Sequence, residues 1–107
     1  MNEDTVLCAA SAYEEKYYLN PRFNGLPQAV KDELQIACVL FTSDVGGILQ
    51  LKFDEEGTLY INTQCDEGDL LYDDIGSVLK IKQLQQDKQD LLESLETYFK
   101  VFFLGEE

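Results

Sequence analysis

At 107 residues, with 21 Asp and Glu against 8 Lys and Arg, the chain carries a formal charge of −13, which excludes the basic footing on which nucleic acids and anionic membranes are bound. The length suits one domain over residues 1–107 rather than two, and a 45% hydrophobic share excludes a disordered chain. The absence of histidine excludes the usual Ser-His-Asp and Cys-His nucleophilic constellations and the H-E-x-x-H zinc site.

Thr5–Ser11 is small, apolar and partly β-branched, and reads as a first strand. The piece that follows, 12–19, has two readings. Its aromatic residues favour a strand, whereas Ser11-Ala12-Tyr13-Glu14 has the capping-box pattern that opens a helix. Pro21 ends the piece within a few residues, which decides for a strand. Asn20-Pro21 and Asn24-Gly25 mark a loop, and Pro27 suits a first helical position. Val30, Leu34, Ala37, Cys38 and Phe41 then recur at helical spacing. The stretch 36–41 is apolar on every side, which predicts a centrally buried helix, stopped by Asp44, Gly46 and Gly47.

Leu49, Leu51 and Phe53 alternate with Gln50, Lys52 and Asp54, and beyond Gly57 the residues Leu59, Ile61 and Thr63 alternate with Tyr60, Asn62 and Gln64. Two period-2 runs about a short acidic turn predict an antiparallel hairpin that buries Leu51, Phe53, Leu59 and Ile61 on one face. Asp66-Glu67-Gly68-Asp69 closes it. From about Leu70 the pattern turns helical, with Ile75, Val78, Ile81, Leu84, Leu91, Leu95, Tyr98 and Phe102 on one stripe, interrupted only by Lys88, whose methylene stem can cover apolar surface. Unbroken to Leu104, about 32 residues would span ~48 Å, longer than a globule roughly 26 Å across by radius of gyration. Such a helix must bend, find a partner, or break within the wholly polar run 85–90. The expected fold is α+β in the order β-β-α-β-β-α, a two-layer arrangement with an antiparallel sheet, two helices on one face, and the last helix long.

The segments KYYLNPRFNGLP (16–27), ELQIACVLFTSDVGGIL (33–49), IGSVLKIKQ (75–83) and YFKVFFLG (98–105) resemble those of a family of small, acidic, uncharacterised proteins of anaerobic Gram-positive (Clostridia-like) gut bacteria. The likeness covers nearly the whole chain. It implies a bacterial, cytoplasmic setting and, since that family has no assigned activity, it implies no catalytic residue.

Four groups of residues bear on function. Asp66, Glu67, Asp69, Asp73 and Asp74 crowd carboxylates that Mg²⁺ or Ca²⁺ would accept, but their spacing departs from the D-x-D-x-D-G calcium loop, and acidic residues at a helix start cap free N–H groups. No metal and no cofactor is therefore expected, with Asp66, Asp69, Asp73 and Asp74 as the weak candidates. Thr42-Ser43-Asp44-Val45-Gly46-Gly47 could cradle phosphate, yet it lacks the P-loop Lys-[Ser/Thr] and serves equally as a helix stop. Cys8, Cys38 and Cys65 form no C-x-x-C pair; with a polar, acidic first stretch that is no signal peptide, they read as free thiols of a reducing cytoplasm, Cys8 and Cys65 as small hydrophobes buried in strands. Finally Leu91, Leu95, Tyr98, Phe99, Phe102 and Phe103 are either core or the seam of a homodimer. The reading that follows is a non-enzymatic, self-associating interaction or accessory protein with no catalytic residue, and a basic protein as a second kind of partner. A small-ligand or cation-binding domain using loop 66–74 is the alternative, and a carboxylate-based enzyme the third.

Overall fold

Residues 4–105 are described by the structure, a computed structural model. Thr5–Ser11 forms strand β1 and Lys16–Leu19 forms β2, antiparallel, with Cys8 opposite Leu19 and Ser11 opposite Lys16. The competition between strand and helix over 12–19 is settled at Glu15. The Ser11 hydroxyl does accept the Glu14 N–H at 3.2 Å, but Glu15 takes a left-handed φ of 52°, which turns the chain back as a hairpin instead of winding it onward. Asn20 then caps a single 3₁₀ turn, Pro21–Phe23: its side chain accepts the Arg22 N–H and donates to the Val6 carbonyl at 2.8 Å. That turn carries Phe23 into full burial.

Helix α1 spans Gln28–Val45, with Pro27 at the N-cap, one place before the expected first helical position. Leu34, Cys38, Phe41, Thr42 and Val45 face the core. The expected all-round burial of 36–41 is not found: Ile36 and Leu40 are each 59% exposed. The helix lies in the outer of two layers, so only one side of it meets the sheet and the surplus apolar side is left to water. Gly46 and Gly47 both have positive φ and turn the chain into β3. At Gly47 a Cβ would lie 2.5 Å from the Gln64 carbonyl oxygen, so no other residue fits there.

Strands β3 (Ile48–Phe53) and β4 (Leu59–Gln64) form the expected hairpin in the expected register, Leu51 opposite Ile61 and Phe53 opposite Leu59. The Asp54 carboxylate closes the turn by accepting the N–H groups of Glu56 and Thr58, both at 2.9 Å, with Gly57 left-handed. Leu51 and Phe53 are buried; Leu59 and Ile61 are only half-buried, because β4 is an edge strand. The sheet order is β2-β1-β3-β4, antiparallel throughout. A register shift in β1 between Val6 and Cys8 leaves both Leu7 and Cys8 fully buried, as a β-bulge allows.

The last helical segment is two helices of 14 residues, α2 (Asp74–Asp87) and α3 (Gln89–Phe102), joined at Lys88, whose φ of −113° and ψ of 22° leave the helical range. The break falls inside the polar run 85–90, where no apolar side chain ties one turn to the core. The Lys88 Nζ crosses to Glu33 of α1 at 3.2 Å. The start also differs, since residues 70–73 precede the helix. Folding α3 back seats Leu95 and Phe99 in the core, where Phe99 stacks on Phe53 at 4.3 Å between centroids and Phe23 stacks on Phe103 at 4.7 Å. Three members of the expected stripe, Ile75, Val78 and Phe102, are exposed instead. The result is an α+β, two-layer arrangement: among the described residues, four antiparallel strands and three α-helices.

Candidate functional site

The acidic loop between β4 and α2 is organised by hydrogen bonds that its carboxylates make to the chain itself. The Asp73 side chain caps α2 by accepting the Gly76 N–H at 2.8 Å; a Cβ at position 76 would overlap that carboxylate, so Gly76 makes room for the cap. Asp69 accepts the Leu71 N–H at 2.9 Å and the Tyr13 hydroxyl, and the Tyr13 oxygen in turn accepts the Asp66 N–H at 2.8 Å. The Tyr13 hydroxyl, and then the Leu71 N–H, hold the Asp69 carboxyl below its ordinary pKa, while the same bond to Asp69 raises the tyrosine. Among the described residues, no three acidic or thiol groups converge in a way that could hold a metal ion. Asp66, Glu67 and Asp74 point into solvent as isolated charges.

The glycine-rich turn is likewise occupied by helix termination. The Gly46 N–H donates to the Thr42 carbonyl at 2.8 Å, the Ala12 N–H donates to the Gly47 carbonyl at 2.9 Å, and Asp44 pairs with Lys80 at 3.1 Å. Beside it lies an open cleft of about 750 Å³ between the β1–β2 turn and the end of α1, with Ser11, Lys16, Tyr17, Gln35, Thr42 and Asp44 in its wall. Behind that wall Cys8 and Cys38 are buried with their sulfurs 3.8 Å apart. The bond to Cys8, and then burial, push the Cys38 thiol up, and burial pushes the neighbouring Tyr17 hydroxyl up as well. The Cys38 thiol is thus held protonated, the opposite of what a nucleophile needs. Cys65, expected in a buried strand position, is exposed and lies just beyond the end of β4.

The C-terminal group divides. Leu95 and Phe99 are buried, Leu91, Tyr98 and Phe103 pack partly against the core, and Phe102 is 70% exposed. Arg22 covers the Phe103 ring, its guanidinium carbon 4.7 Å from the centroid.

The surface that sequence reasoning missed lies elsewhere. Leu70 and Leu71, in the loop before α2, are 96% and 91% exposed, and Ile75 on the first turn of α2 is 76% exposed. Val78 and Leu79 continue the exposed run, while Ile36, Val39 and Leu40 stand out from α1. A groove of about 220 Å³ separates α1 from α2, with Leu40, Phe41, Leu84 and the paired Asp44 and Lys80 in its walls. The signal for it was present: 36–41 and 70–79 carry more large aliphatics than a single buried stripe can use.

Among the described residues no helix is long and apolar enough to cross a membrane. No curated protein and no solved structure matches the chain. A family model does match it over residues 4–107, and the chain thereby belongs to the family of unknown function DUF6145.

Proposed function

We propose that this protein is a non-enzymatic interaction protein. The observation that carries the reading is the set of eight large aliphatic side chains, Ile36, Val39, Leu40, Leu70, Leu71, Ile75, Val78 and Leu79, exposed on α1, on α2 and on the loop before α2. Scattered single aliphatics are ordinary on a protein surface; runs of them on neighbouring elements mark a surface that is covered in use. The packing of α1 on α2 supports treating the two helices as one platform. The buried, protonated Cys38 thiol and the Asp69 and Asp73 carboxylates, taken up by a turn and a cap, support this reading over a catalytic one.

The test is affinity capture from a lysate of the source cells, with wild-type protein beside the Leu71→Ser/Ile75→Ser/Leu79→Ser variant. A protein retained by the first and lost from the second is the expected result. If the wild type retains no protein in stoichiometric amount, the interaction reading fails.

Self-association through the C-terminal end is a second reading. With Leu95 and Phe99 in the core, it rests on Phe102, Val101 and Leu104, which remain exposed. Light scattering separates the cases: a mass near 12.2 kDa is a monomer, and twice that value which collapses to one chain in Phe102→Asp is this dimer.

A further inference from the structure

We infer that the 66–79 face docks a basic, amphipathic helical segment of another protein, with Lys or Arg on one side of the helix and large apolar residues on the other. This rests on the interaction reading above and adds the surface and the chemistry of the occupant.

The argument begins with charge. Between Lys52 and Lys80 the chain has no Lys or Arg at all, while 66–74 alone contributes Asp66, Glu67, Asp69, Asp73 and Asp74. The aliphatic side chains most exposed among the described residues, Leu70, Leu71 and Ile75, sit among those carboxylates. An apolar patch ringed by one sign of charge selects against most occupants. A second copy seated on this face would set carboxylates against carboxylates in a low-dielectric contact, and each chain already carries −13. Nucleic acids and anionic lipid are repelled for the same reason. A bare cation would leave the leucines in water, and the carboxylates do not converge to hold one. What satisfies both parts is a segment that brings ammonium or guanidinium groups to the rim and leucine-like side chains to the middle, the manner in which grooves take amphipathic helices.

The face is also held in shape before any partner arrives. Tyr13 ties Asp66 and Asp69, and Asp73 donates its N–H to the Val45 carbonyl at 3.1 Å while its side chain caps α2. Tyr72 turns inward, packing where a Cβ on Gly47 would stand and bonding Ser77 at 2.9 Å. With Tyr72 taking the inward position, its neighbours Leu70 and Leu71 are directed to water by a loop that is fixed at four points. Binding to such a surface costs little ordering of this chain.

The experiment uses fluorescence anisotropy with a labelled synthetic peptide of about 18 residues, five helical turns, with Leu and Lys at amphipathic spacing. Two controls replace every Lys by Glu, or every Leu by Ser. The expected result is saturable binding of the Leu/Lys peptide and of neither control. Leu71→Ser/Ile75→Ser/Leu79→Ser and, separately, Asp66→Asn/Glu67→Gln/Asp74→Asn should each weaken it by about tenfold or more, while Glu55→Gln/Glu56→Gln/Glu93→Gln, which removes the same charge elsewhere, changes it by less than about twofold. All substituted side chains but Leu79 and Glu93 lie outside regular elements or at a helix start, and all are exposed, so circular dichroism should show native folds. Equal weakening by the distant charge variant, undiminished binding by the leucine variant, or equal binding of the Glu peptide each overturns the inference. So does a dimer mass in light scattering that falls to one chain in Ile75→Ser, which would make the occupant a second copy. A partner captured from lysate that depends on Leu71, Ile75 and Leu79 but is itself acidic would leave the interaction reading standing and sink this one.

Discussion

A single hydrogen bond at Tyr13 shows how individual residues set the shape of this surface. The Asp69 carboxylate accepts the Tyr13 hydroxyl, which lowers the Asp69 pKa. A carboxyl depressed in the folded state contributes stability that is complete above its unfolded value, roughly 3.9, and is lost as pH falls through the lower folded value. The bond therefore holds the loop at neutral pH and is lost as pH falls below the ordinary carboxyl range. Carboxyl chemical shifts followed by NMR should place the Asp69 midpoint below the ordinary value in the wild type and move it upward in Tyr13→Phe. A midpoint that does not move in that variant would mean the hydroxyl is not bonded there. Nothing in the sequence pairs position 13 with position 69: the bond spans 56 residues and exists only because β1, β2 and the loop meet in the fold. Helix capping by Asp73 was legible, since an acidic residue before an apolar periodic run is a local signal. The fate of Cys65 was not, because strand alternation gives no information about where an edge strand stops.

At the scale of elements, legibility follows the strength of the periodic signal. The β3–β4 hairpin was readable to the register, since alternation and an Asp-Glu-Glu-Gly turn agree and a slip of one residue would expose Leu51 and Phe53 together. Over 12–19 the strand signal prevails over the capping-box pattern because Glu15, in the left-handed region, reverses the chain before Pro21 ends the piece. All-round burial of 36–41 fails for a physical reason: hydrophobicity on all sides of a helix states what the helix could bury, and the two-layer architecture supplies only one face. The α2–α3 junction lay between these, with both outcomes consistent with a polar run that no residue type decides. The break has a measurable consequence. Phe99 stacks on Phe53 and is buried, whereas Phe102, three residues on, lies against the Tyr98 ring at 4.7 Å between centroids and is largely exposed. Phe99→Ala should cost about 3–5 kcal/mol, the usual loss for a buried phenylalanine, a large share of the ~5–15 kcal/mol that holds most proteins together. Phe102→Ala should cost less than about 1 kcal/mol. Urea unfolding of both variants checks the pair. Equal losses would mean that α3 is rotated from the placement described, or that Phe102 is covered in solution.

For the molecule as a whole, charge opposes the fold that the aromatic core holds together. Twenty-one carboxylates face eight basic groups, and among the described residues only Lys80–Asp44 and Lys88–Glu33 form ion pairs. Both pairs are partly exposed, and surface pairs of this kind contribute roughly 0–1 kcal/mol each. The remaining carboxylates repel one another, and the repulsion is greater in the compact state than in the expanded one. Salt weakens it: the screening length falls from about 30 Å at 0.01 M to about 10 Å at 0.1 M, so unpaired charges on opposite sides of the molecule cease to interact. The melting temperature at neutral pH should therefore rise steeply as sodium chloride increases from about 0.01 M to 0.2 M, then flatten once screening is complete. A rise of constant slope through 1 M would point instead to salting of apolar surface. A fall would mean that local ion pairs outweigh the net repulsion. The same titration should weaken a basic partner on the 66–79 face, because the charge that destabilises the isolated chain is the charge that draws that partner in. Stability rising and affinity falling over one salt range is the combined outcome expected, and both rising together would detach the acidity of the chain from its binding surface.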